Sequence, residues 1–167
     1  MKNRKLLLLS VLLALAIILG IIEGFLSFGI PFLRLGLANI ITLIILYQLN
    51  RRDALLVFLM RVFIVNILLG HFFDVIFWMS FTGGLVSFLM MVIFKELKIF
   101  SVVGVSIVGA VSHLSAQLFV ASLMIRALIP NYFFALFLVI GVFTGLFTGI
   151  VALRVLKNYD FQEFINE

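Results

Sequence analysis

Apolar positions run almost unbroken along the chain, and the few charges, glycines and prolines that interrupt them mark out six segments, at about 5–27, 33–50, 52–70, 73–95, 99–126 and 131–157. A hydrocarbon layer about 30 Å thick is crossed by a helix of roughly 20 residues, so each run approaches the length of a span. The runs are continuous rather than alternating. That favours helices over barrel strands, because backbone polar groups in lipid must be satisfied within the segment. The pattern predicts an all-α, polytopic membrane protein: six transmembrane helices packed as a single integral domain over residues 1–167, with no room for a separate soluble domain.

Composition agrees. Of 167 residues, 65% are hydrophobic and 11% charged, and the mean hydropathy is +1.37, against about 45–50% apolar and about 25% charged in soluble domains. The lipid bilayer is therefore the expected partner of the surface. The net charge of +5 does not point to nucleic acid, because Lys and Arg cluster at the ends of apolar runs instead of forming a stripe. With the N-terminus in the cytoplasm, Lys2, Arg4, Lys5, Arg51, Arg52, Lys95, Lys98, Arg154 and Lys157 fall inside, leaving Arg34, Arg61 and Arg126 outside or within the membrane. This asymmetry predicts a multi-pass protein of the cell membrane with both termini cytoplasmic. The first apolar run, to about Leu26, exceeds the roughly 7–15 residues of a signal-peptide core and is expected to be retained as the first helix. The sequence has no cysteine, which excludes disulfides, thiolate nucleophiles and Cys-based metal centres.

Polar side chains inside apolar spans are costly enough to point to function. Arg61 lies nine residues beyond Arg52, about 13 Å deep at 1.5 Å per residue, where a lone arginine costs roughly 2.5–3.5 kcal/mol. It requires an anion, carbonyls or water: a structural pairing with Glu23 or a carbonyl, or else an anionic ligand or a gating role. Glu23, Arg34, Asn39, Asn66, His113 and Gln117 fall in the outer halves of their helices, while the cytoplasmic half is nearly all Leu, Ile, Val and Phe. His113 and Gln117 are four residues apart and share a face, which continues back through Gly109 and Ser106. These seven residues are the candidate substrate-binding set, converging on an outward-opening pocket. A buried hydrogen-bond network that holds the helices together is the alternative. The turn Phe28-Gly29-Ile30-Pro31 is placed as a lid over that pocket. His71 and Asp74 flank an outer turn, where solvation accounts for them; a metal site made from them and His113 is not forced by their spacing, and neither metal nor cofactor is expected.

Small residues form ladders. Gly141, Gly145 and Gly149 recur at every fourth position, and the first run pairs Ser10 with Ala14 and Ala16 with Gly20 and Gly24. Such stripes let helix backbones approach closely, either inside the bundle or against a partner membrane protein. Ser10, Ala14, Ala16 and Gly20 are the candidate docking residues. The acidic tail from Asn158 to Glu167 is expected at the cytoplasmic interface. The chain lacks a Gly-x-x-x-x-Gly-Lys-Ser/Thr loop, a Gly-x-Ser-x-Gly elbow and an aspartate-rich Mg²⁺ cluster, so an independent enzyme is not expected.

The segment Arg34-Leu35-Gly36-Leu37-Ala38-Asn39-Ile40, just after Pro31, resembles the Gx transporter family, whose members carry the older label heptaprenyl diphosphate synthase component I. The likeness continues through Arg61 to Gly70, Gly83-Gly84, the stretch from Gly104 to Gln117 and the Thr-Gly pattern of the sixth run. It departs in the fifth run, where the family commonly shows His-Asn-Leu-Gly-Gln and this chain has His113-Leu114-Ser115-Ala116-Gln117. The resemblance implies an architecture similar to the substrate-binding S components of energy-coupling factor (ECF) transporters. Those six-helix proteins capture cargo from outside beneath the loop between helices 1 and 2. They dock through small residues of helix 1 onto a transmembrane coupling protein driven by two cytoplasmic ATPases. It also implies isoprenoid, quinone or flavin-related cargo. The combined expectation is uptake of a small anionic or zwitterionic, partly apolar molecule. The alternatives are a non-transporting subunit or scaffold of a quinone or flavin extracellular electron-transfer system and, from the older label, a prenyl diphosphate synthase subunit.

Overall fold

The computed structural model describes residues 2–25, 36–126 and 131–166. Those residues form α1 (Lys2–Phe25), α2 (Asn39–Gln48), α3 (Arg51–Leu68), α4 (Val75–Glu96), α5 (Val102–Ile125), α6 (Asn131–Asn158) and α7 (Phe161–Asn166), with no strand among them. Four stretches, Asn3–Phe25, Val75–Glu96, Val102–Met124 and Tyr132–Asn158, are long and apolar enough to cross a membrane.

The second run departs from the sequence reading. A span was expected over 33–50, but α2 has 10 residues, about 15 Å at 1.5 Å per residue and half the thickness of a hydrocarbon layer. Its start is set by a turn. Gly36 has φ +76°, a conformation that glycine adopts without steric penalty, and the amides of Asn39 and Ile40 donate to the carbonyls of Gly36 and Leu37 at 2.9 and 3.1 Å. α3 has 18 residues but carries Arg51, Arg52, Asp53 and Arg61. Of the six expected spans, four are matched by long apolar helices among the described residues, while the other two positions hold the short, buried α2 and the charge-bearing α3.

Every residue of α2 from Asn39 to Leu46 is buried, as expected of a helix that is hydrophobic all round. Its Ile41, Leu43, Ile44, Ile45 and Leu46 pack with Leu12 and Ala16 of α1, Val57 of α3, Phe88 and Met91 of α4, Val105 of α5 and Ala152 of α6 in one core. At its C-terminal end, Lys95 Nζ donates to the Leu46 carbonyl at 2.6 Å, a cation at the negative pole of the helix. Gln48 Oε1 accepts from the Phe161 amide at 2.7 Å, and its Nε2 donates to the Tyr159 carbonyl at 2.5 Å. The tail beyond Asn158, expected only as an acidic interfacial end, folds back as α7 across this terminus. Lys5 and Asp53 pair at 2.6 Å, tying α1 to α3.

α3 begins with Asn50, whose side chain accepts from the Asp53 amide and satisfies a helix-end donor. Its buried face carries Val57, Phe58, Arg61, Val62 and Val65, while Leu56, Met60, Phe63 and Ile67 face outward. The α3–α4 turn is held by Asp74, which accepts from the Phe77 amide at 2.9 Å and contacts His71 Nδ1 at 2.8 Å. Phe63, Phe72, Phe77, Trp78 and Phe81 cluster there, an aromatic group of the kind found at membrane interfaces.

The glycine ladder of α6 lies inside the bundle. A Cβ at Gly141, Gly145 or Gly149 would meet the Cα of Val111, Ile107 or Val103 of α5 at 3.0, 2.5 and 2.9 Å, and Ser106 Oγ and Thr148 Oγ1 bridge the same pair at 2.8 Å. Because the obstacle is backbone, Gly145→Val is expected to destabilise the purified protein by about 1–3 kcal/mol through overpacking, read as a lower Tm in detergent. Val142→Leu, on the exposed side of the same helix, is expected to leave Tm unchanged.

Candidate functional site

Arg61 recurs four residues after Val57 and four before Val65, on the face of α3 that points into the bundle. It is therefore buried, with 7% of its surface exposed, and its guanidinium lies 5.6 Å from the centre of the Phe58 ring. α2 stops beside it: Arg61 donates to Asn39 Oδ1 at 3.4 Å, and Asn39 Nδ2 reaches Ser87 Oγ of α4 at the same distance. Glu23, near the end of α1, accepts from the Gly36 amide in the turn that precedes α2. Asn66, one turn beyond Val62 on α3, donates to the Val62 carbonyl at 2.7 Å.

These elements frame a cavity of about 30 Å³ lined by Gly20 and Glu23 of α1, Gly36, Arg61, Val62, Val65 and Asn66 of α3, Ser80 of α4 and His113 of α5. That is room for a water molecule or two. Close approach of α4 and α5 is possible because Gly83 has no side chain: a Cβ there would lie 2.8 Å from Gln117 Cγ and 3.0 Å from the His113 carbonyl oxygen. Gly84 does the same toward Phe58 of α3. The two adjacent glycines therefore let α5 and α3 approach neighbouring faces of α4 closely.

The electrostatics follow from where α2 ends. A helix N-terminus carries about half a positive charge, and anions are favoured there. Ala38 provides no side-chain cap, and the guanidinium adds a full positive charge at the same place. Glu23 is the carboxylate that lines the cavity. Amide, hydroxyl and imidazole groups surround it, and two valines form an apolar wall.

Of the residues singled out from the sequence, Glu23, Arg61, Asn66 and His113 line one cavity, and Asn39 is bonded to Arg61. Gln117 is buried one turn beyond His113. Arg34 and the turn from Phe28 to Pro31 lie outside the described residues. Ser106 and Gly109, on the same face of α5, serve packing, against Thr148 and Met91. Ser80, Ser87 and Gly36 were missed, although Ser80 and Ser87 sit as deep in an apolar run as Asn66 and the same depth arithmetic applies to them. Among the described residues no three His, Asp or Glu side chains converge as metal ligands. The small residues of α1 divide: Ser10 and Ala14 are exposed, whereas Ala16 is fully buried and Gly20 abuts Val65 and lines the cavity.

A family profile described as heptaprenyl diphosphate synthase component I matches residues 12–155. The chain belongs to this family, the Gx transporter family. The match takes in every residue that lines the cavity and leaves α7 outside it. No curated relative and no solved structure matches the chain. The family membership and the long apolar helices fit a membrane protein.

Gly36 controls the site from the backbone. A Cβ at this position would be strained by its positive φ and would lie 3.1 Å from Asn39 Nδ2. Gly36→Ala is expected to cost about 1–2 kcal/mol, read as a fall of several degrees in Tm, with a shift of the Asn39 side chain away from Arg61.

Proposed function

We propose that this member of the heptaprenyl diphosphate synthase component I family is the substrate-binding, S-component-like subunit of an uptake system. Its cargo is a small anionic or zwitterionic, partly apolar molecule, and its energy comes from partner ATPases acting through a coupling protein. The observation that carries the reading is the convergence of Glu23, Arg61, Asn66 and His113, from three helices, on one cavity next to the N-terminus of a buried half-length helix. Discontinuous helices in transporters commonly aim such N-termini at anionic groups near the membrane midplane.

In this reading the end gathered by Lys5, Asp53, Lys95 and Gln48 faces the cytoplasm of a cell-membrane protein with both termini inside, and the cavity lies in the outward half. α3 crosses with its terminal charges in the cytoplasm, Arg61 turned inward and Leu56, Met60, Phe63 and Ile67 toward lipid, while α2 completes half a span inside the bundle. Arg61, together with Arg34, offsets negative charge on the cargo. Asn39, Asn66, His113 and Gln117 supply directional hydrogen bonds, Glu23 orients an arginine or meets a cationic group, and Val62 and Val65 contact the apolar part. On α1, the exposed pair Ser10 and Ala14 faces the coupling protein, while Ala16 and Gly20 hold the bundle. Catalysis is not part of the proposal. Glu23 is the single carboxylate among the described lining residues.

The cavity's small volume favours a second reading, a scaffold of a quinone or flavin electron-transfer system with no cargo of its own. Mass spectrometry of small molecules that co-purify, with a parallel pull-down, separates the two: a bound metabolite and ATPase partners support uptake, whereas redox partners and an empty protein support the scaffold. For the molecule so identified, Arg61→Ala is expected to raise Kd more than tenfold, about 1.4 kcal/mol, without loss of expression. Unchanged affinity would remove Arg61 from the site.

A further inference from the structure

Gln117 is wholly buried, with 0% of its surface exposed, and among the described residues neither its Oε1 nor its Nε2 meets a hydrogen-bond partner. Native interiors pair nearly all such groups, because an amide stripped of water and left alone is a liability to the fold. The other buried amides here obey the rule: Asn39 bonds to Arg61 and Ser87, and Asn66 bonds to the Val62 carbonyl. Packing does not explain the exception. The Gln117 side chain lies against Gly83, and methionine would occupy the same slot without stranding two polar atoms. Position offers an explanation: Gln117 stands one helical turn beyond His113, which lines the cavity, on the same face of α5.

We infer that the Gln117 carboxamide is reserved for the cargo, which therefore carries a hydrogen-bond donor and acceptor side by side, as in a carboxamide, lactam or imide, in addition to the anionic group met by Arg61. This deepens the uptake reading and rests on it. A glutamine presents one acceptor and a donor group from a single planar amide, and only an edge with the complementary order satisfies both. A carboxylate or a quinone carbonyl satisfies the donor alone, and a bare isoprenoid chain satisfies neither. The cavity of about 30 Å³ must widen to admit any metabolite, since ligand sites run to hundreds of cubic ångströms. The Gln117 amide does not line that cavity, so for a cargo to reach it α5 must part from Gly83, against which the side chain packs. A site built in this way discriminates strongly against analogues that lack the matching edge, because the buried group is then left unpaired.

The test compares the parent with Gln117→Met, both purified in detergent. Each is melted alone and after addition of the low-molecular-mass fraction of a cell extract. Without additive, the variant is expected to melt about 2 °C or more above the parent, since a stranded polar group has been removed. The extract fraction is expected to raise the parent's Tm and to lose most of that effect on the variant. A variant that melts lower than the parent, or fails to fold, overturns the inference, as does an equal shift in both proteins, which leaves the uptake reading standing. No shift in the parent overturns the uptake reading and the inference with it. Mass spectrometry of the molecule retained by the parent supplies the chemical class: an N–H beside a carbonyl supports the inference, and a molecule with no such edge refutes it.

Discussion

The fold depends on burying a helix too short to cross the bilayer. α2 has no lipid-facing side; its aliphatic residues are the axis around which α1, α3, α4, α5 and α6 assemble. A full-length central helix would fill the bundle from end to end. A ten-residue helix instead places a helix terminus deep in the protein, and that terminus has to be accommodated by polar groups because unsatisfied backbone is not tolerated in an apolar interior. The Gly36 turn, Glu23, Asn39 and Arg61 are that accommodation.

The two ends of α2 are treated differently. At its C-terminus the negative pole meets Lys95, and Gln48 is clasped by the chain around α7, so charge and dipole agree and the end is closed. At its N-terminus the positive pole meets a second positive charge, Arg61. Such an arrangement is favourable only with negative charge nearby. Glu23 provides one carboxylate at the cavity. Packing serves this geometry: Gly83 and Gly84 draw α5 and α3 to the same stretch of α4, while the α6 ladder holds α5 from behind.

Much of this was legible in the chain. The depth of Arg61 and of the amides follows from counting residues from the charged ends, and the structure gathers Glu23, Arg61, Asn66 and His113 around one cavity. The length of α2 was not legible, because Leu35, Leu37 and their neighbours are apolar enough for a span, and the turn depends on a backbone angle at Gly36 that composition does not reveal. The division of the α1 ladder was hidden for a related reason. Ser10 with Ala14 and Ala16 with Gly20 have the same spacing but are centred about 120° apart around the helix, and spacing alone does not say which face is inside. The clasp of α7 on Gln48 joins residues far apart in sequence through backbone groups, which leave no side-chain signature. The solitary Gln117 amide is likewise a property of what surrounds it.

The most direct measurement is an experimental density map of the protein purified in mild detergent with nothing stripped from it. The account predicts a hollow framed by Glu23, Arg61, Asn66 and His113, at the inner end of a short α2, with density in it that reaches Arg61. Apolar side chains filling that space, or the four polar groups turned in unrelated directions, would contradict it.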